Sequence, residues 1–130
     1  MAWSNKKIKA KMNDFFKNKK IAYTLEEEKD LIFKFEVCLT EAGYILYPYI
    51  TISADDMVSF NVNISTKTSK NFDYTILNEF NLKSRVFKTF CTNEGIIALE
   101  YKFLLTDELI EYIELLVDQL FILQYDIDKL

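Results

Sequence analysis

Between Leu31 and Ile64 the chain repeatedly alternates apolar and polar residues with a period of two. Leu31, Phe33, Phe35, Val37 and Leu39 take turns with Ile32, Lys34, Glu36 and Cys38. Val58, Phe60, Val62 and Ile64 take turns with Ser59, Asn61 and Asn63. Strand side chains point to opposite faces at each step, so such runs bury one face and leave the other in water. A sheet of this kind needs a second layer over its apolar side. Residues 44–53, YILYPYITIS, read as a further strand, in which Pro48 marks an edge or a bulge because it has no N–H to give a ladder. Turns are expected at TEAG, where Gly43 can take positive φ, and at SADD. Two glycines and one proline in 130 residues leave few other breaks.

Helical periodicity frames this block. Ile8, Met12, Phe15 and Phe16 predict a helix over residues 5–18, capped by Ser4 or Asn5. AYTLEEE, residues 22–28, reads as a short strand. The polar segment STKTSKN is a loop, after which Asn71 or Asp73 is placed to cap a helix. Residues 85–91 and 95–104 predict a hairpin turning at TNEG on Gly95. Thr106 is the expected cap of a last helix, with Asp107 and Glu108 at its positive end. Its stripe is Leu109, Ile110, Ile113, Leu116, Val117, Leu120 and Phe121. The expected architecture is one α+β domain over residues 1–130. It has two layers: an antiparallel sheet of about five or six strands with helices on one face, in the order α-β-β-β-(β)-α-β-β-α.

The helix before the last hairpin, FDYTILNEFNLK, carries the pentapeptide LNEFN at 77–81. Asn78 and Asn81 share a helix face. Asn is a poor helix former because its amide competes for the backbone. The expected roles are that Asn78 bonds the backbone of a neighbouring element and Asn81 ends the helix in a left-handed conformation. A polar recognition face is the other reading. With its two following strands and final helix, this segment resembles the YbjN-like family of small bacterial proteins, best over residues 76–125. The resemblance implies a fold like that of type III secretion chaperones, which bind an extended segment of a client. It implies no reaction.

Composition narrows the chemistry. The chain has no histidine, the commonest general base and metal ligand. No GxSxG elbow or Gly-rich phosphate loop occurs. The acid pairs Asp55–Asp56 and Asp107–Glu108 and the run Glu26–Glu28 read as a turn, a helix start and a solvated strand end. No catalytic residue, cofactor or metal is expected. Cys38 and Cys91 are expected as buried small hydrophobes in a reducing compartment. No signal-peptide-like start and no run near the ~18 apolar residues of a membrane span is visible. The expectation is a cytoplasmic protein without a membrane partner.

Charge is distributed unevenly. Residues 1–20 hold seven Lys against one Asp, or +6; the rest hold nine bases against nineteen acids, or −10. A Lys-rich first helix invites nucleic acid, but its apolar stripe is explained by docking on the sheet, and the acidic body opposes polyanions. Its lysines can instead neutralise the acidic last helix.

Surplus hydrophobicity points to a partner. Ile45, Tyr47 and Tyr49 fall on the face opposite Leu46, Ile50 and Ile52, where alternation asks for polar residues. They read either as an interface or as cross-strand packing with Val86 and Phe90. The last helix carries Tyr112, Leu115, Ile122 and Leu123 outside its stripe. Arg85, the only arginine, opens the strand at 85–91 and is suited to grip a carboxylate, on a partner or within the domain. These observations together suggest a non-enzymatic interaction domain and a homodimer. Its expected partner-binding residues are Ile45, Tyr47, Tyr49, Arg85, Leu115 and Ile122, and an exposed strand edge adds main-chain pairing. The alternatives are a small-ligand sensory module and a nucleic-acid accessory protein using the Lys-rich helix.

Overall fold

The computed structural model describes residues 3–66 and 74–130. The expected caps Asn71 and Asp73, and residues 67–71 of the expected loop, lie outside the described residues.

Helix α1 spans Asn5–Asn18, and the Ser4 hydroxyl accepts from the Lys7 N–H at 3.2 Å. Its buried side chains are Ile8, Met12, Phe15 and Phe16. The helix closes through Lys20, which holds φ +58°. The Ile21 N–H returns to the Phe16 carbonyl at 2.8 Å and the Lys20 N–H to that of Lys17 at 3.1 Å. This left-handed closure suits glycine better than a residue with a Cβ. It turns the chain sharply into β1, Tyr23–Glu27.

Strands β2 (Leu31–Phe35), β3 (Val37–Leu39), β4 (Tyr44–Leu46) and β5 (Pro48–Ile52) form one long hairpin. Its register is the same on both sides of a break: Lys34 faces Tyr49, and Val37 faces Leu46. The interruption falls at Pro48, which supplies no N–H. Each of the two expected strands is therefore split in two. Gly43 makes the hairpin turn at φ +80°.

β6 (Met57–Thr66) follows, then α2 (Tyr74–Lys83), β7 (Lys88–Cys91) and β8 (Ile96–Leu104). The main sheet is antiparallel, in the order β1-β2-β5-β6-β8-β7; β3 and β4 pair separately as a two-stranded extension. The last helix is α3, Leu109–Ile122, followed by α4, Gln124–Asp128. The Thr106 hydroxyl accepts from the Glu108 N–H in a turn just ahead of α3, so α3 begins slightly later than expected. The observed α+β arrangement agrees with the expected fold and order.

The inner sheet face holds Phe33, Ile50, Val58, Phe60, Val62 and Leu99, all buried. The Phe16 ring of α1 lies 5.0 Å from that of Phe35 and stacks on Tyr23 at 4.5 Å. Tyr112 of α3 meets Phe103 at 5.1 Å. Burying one such ring stabilises the fold by roughly 2–3 kcal/mol, which is why the alternation dictates the layer.

Two local expectations reverse here. Asn81, rather than Asn78, ties α2 to its neighbour, and it does not take positive φ. Asn78 is exposed, and the helix runs on to Lys83. Cys38 is exposed because it lies on the outer face of its strand, and Cys91 is half-buried at the end of the edge strand β7, where it packs against the core.

Candidate interaction groove

The sheet system leaves four strand edges: β1 and β7 bound the main sheet, and β3 and β4 bound the extension, where the outer side of β4 lies beside β6. At β7 the Asn81 amide donates to the Thr89 carbonyl at 3.1 Å and accepts from the Thr89 N–H at 2.8 Å. A side chain thus occupies the place a neighbouring strand would take. At β1 the edge is five residues long and carries Glu26 and Glu27, which discourage pairing by charge. Lys9 holds Glu27 at 2.7 Å and Lys34 holds Glu26 at 2.9 Å.

β3 is different. β1 begins at Tyr23, opposite Phe35, so it stops where β2 ends. The chain before Tyr23 turns away into α1. β3 therefore pairs with β4 alone, and no strand covers its other edge among the described residues. Unpaired strand edges are templates for an added strand.

This open edge borders a groove of about 840 Å³. One side is the α1–β1 corner, with Ile21 and Tyr23. The helix side is Val117 and Phe121 of α3. The strand side runs from Lys34 to Cys38, and Tyr47, Pro48 and Tyr49 complete the rim. Most of this wall is apolar or aromatic. Its charges are mixed. Lys19 is tied to Glu114 at 3.2 Å, whereas Lys20, Glu36 and Asp118, which also line the groove, have no ion-pair partner among the described residues. The arrangement can hold an extended apolar segment and offer it main-chain partners and both signs of charge.

A latch supports the far end of the β3–β4 hairpin. The Gln124 side-chain oxygen accepts from the Ala42 N–H at 3.0 Å, and the Tyr44 hydroxyl donates to the Gln124 carbonyl at 2.8 Å. Burial, and then the nearby Asp128 carboxylate, push the Tyr44 phenol up to about 12.

The expected partner-binding residues divide between surfaces. Tyr47, 58% exposed, and the half-buried Tyr49 both line the groove. Ile45 is exposed on β4 opposite Cys38, outside the groove lining. Tyr49 has Lys34 and Asn61 as cross-strand neighbours, so the sheet face around it is polar. Phe90 lies on β7, the opposite edge of the sheet, and Val86 precedes that strand. Arg85 is exposed in the turn before β7, because the strand starts only at Lys88. The Ser84 hydroxyl closes that turn by accepting from the Phe87 N–H at 2.9 Å. Leu115 and Ile122 are exposed on α3, away from the groove lining.

Sequence reading missed Phe35, Val37, Val117 and Phe121 as groove residues, since each belongs to an apolar stripe, and Ile21, which falls between the expected helix and strand. One signal was present: the strand at 31–39 is longer than the candidate strand at 22–28, so part of its edge has no partner. Among the described residues no group of three or more Cys, Asp and Glu is placed to hold a metal. No described helix is long and apolar enough to cross a membrane. No protein-family model matches the chain, and no curated protein matches it.

Proposed function

We propose that this chain is a non-enzymatic protein-interaction domain that takes an extended segment of a partner into the β3 groove. The observation that carries this reading is the uncovered edge of β3 standing over an apolar groove, while Asn81 occupies the β7 edge and Glu26 and Glu27 charge the β1 edge. The partner backbone adds to β3, and alternate side chains reach the pocket between Phe35, Val117 and Phe121. Tyr47 and Tyr49 give a rim of rigid, amphipathic rings that contribute area at low entropic cost. Kinship with YbjN-like proteins, a secretion-chaperone-like client role and a cytoplasmic location belong to the same proposal. The free thiols of Cys38 and Cys91 suit a reducing compartment.

A second reading, a small-ligand sensory module, is favoured by the groove volume, which falls within the range of small-molecule sites. Peptides selected from a random library against the purified protein distinguish the two. Strand addition slows hydrogen exchange of β3 amides, and Tyr47→Ser/Tyr49→Ser weakens binding. Selected peptides that bind both forms equally and leave Val37–Leu39 exchanging as before would refute the groove reading.

A further inference from the structure

α1 and α3 lie side by side over the sheet, joined by Lys19–Glu114. Each turns a stripe with spacing four, three, four away from the core. On α1 it is Lys6, Ala10, Asn13 and Lys17. On α3 it is Glu111, Leu115, Asp118 and Ile122. All eight residues are exposed, Leu115 at 48% and Ile122 at 68%. Such spacing is the pattern of a helix seam. The stripes carry opposite charge, and none of Lys6, Lys17, Glu111 and Asp118 has an ion-pair partner among the described residues.

We infer that a second copy of this chain docks on this helical face about a twofold axis, placing α1 of each protomer on α3 of the other. A twofold interface must complement itself, and this face does so: the basic stripe meets the acidic one twice. Pairing α3 with α3 is opposed by charge, since residues 103–128 hold seven acids and no base. Ala10 leaves room for Leu115 of the second copy, and Ile122 gains cover beside it. Each helix has fourteen residues and is about 21 Å long. Two such helices present roughly 400 Å² per partner, below the ~800 Å² of tight complexes, so the dimer is of the micromolar class.

Light scattering tests this on the intact chain from about 1 to 200 μM, since a micromolar dimer assembles within that span. The expected mass rises toward twice the 15.4 kDa of one chain, and the rise weakens at high salt. Lys6→Glu/Lys17→Glu and Glu111→Lys/Asp118→Lys are each expected to be monomeric while keeping the wild-type circular dichroism. Mixing the two restores a dimer, because each then meets its opposite. Leu115→Glu weakens association by about tenfold or more. A wild type that stays monomeric at the highest concentration overturns the inference. So does a dimer that survives both charge reversals, or a mixture that stays monomeric.

Discussion

Asn81 grips both polar groups of the Thr89 peptide, accepting from its N–H at 2.8 Å and donating to its carbonyl at 3.1 Å. One amide therefore does two jobs. It fastens α2 to the sheet, and it occupies an edge that otherwise invites another strand. β3 has no such guard, and this contrast is the physical basis for placing the partner there.

Asn81→Ala removes both bonds and leaves the Thr89 groups without a partner. The expected loss is about 2–3 kcal/mol in urea unfolding. Asn81→Asp keeps the acceptor and loses the donor, so it falls between wild type and alanine. The alanine variant is also expected to self-associate through β7, seen as concentration-dependent light scattering. A loss below about 0.5 kcal/mol is what a surface residue without such bonds gives, and would remove the guard role.

Lys20 sits at φ +58° where the closing turn of α1 favours glycine. Lys20→Gly is expected to raise stability by about 0.5–1 kcal/mol, the relief of left-handed strain less the added flexibility of the unfolded chain. Thermal unfolding measures it. Lys20→Ala keeps the Cβ and is expected to give no gain.

The Tyr44 phenol is held near 12 in the fold against about 10 when unfolded. The sign follows from proton binding. Between these values the unfolded chain has lost the proton that the folded chain keeps. Stability from this group is thus complete below about pH 10 and falls as pH rises toward 12. Urea midpoints measured across this span should fall more steeply for wild type than for Tyr44→Phe, which has no phenol to ionise. Parallel curves would show that Tyr44 does not govern the alkaline limit. Gln124→Ala removes the acceptor of the Ala42 N–H and is expected to cost about 1–2 kcal/mol at neutral pH.

How far the sequence could be read follows from the range of each signal. Alternation placed Phe33 and Phe60 in the core because a strand decides its faces locally. Gly43 and Gly95 marked their turns because few other residues accept φ near +80°. The outward position of Cys38 was also legible, since it shares the parity of Lys34 and Glu36; expecting burial followed the habits of cysteine over that of its strand. The bond to a neighbouring element was assigned to Asn78 and belongs to Asn81, because spacing shows that two residues share a face but not which one meets β7. Arg85 was misplaced because the Ser84 turn, a side-chain bond to Phe87, leaves no mark on hydropathy. The groove itself arises where three elements distant in sequence end, so its residues look like ordinary core positions until the chain is folded.

Phe121 separates binding from folding most cleanly. It lines the groove from α3 yet is 40% exposed, so the core does not depend on it. Phe121→Ala is expected to change stability by about 1 kcal/mol or less, since much of its ring is already in water. The same truncation removes an aromatic anchor from the partner's pocket, and such anchors are commonly worth about 2 kcal/mol or more in binding. Affinity for a selected peptide should therefore fall by about thirtyfold while the melting temperature barely moves. Ile122→Ala, on the neighbouring position outside the groove lining, is the matched control and should leave peptide affinity unchanged. Calorimetric titration of both variants with one peptide decides it. If the two truncations weaken binding alike, the partner lies on the outer face of α3 and the β3 groove is not its seat.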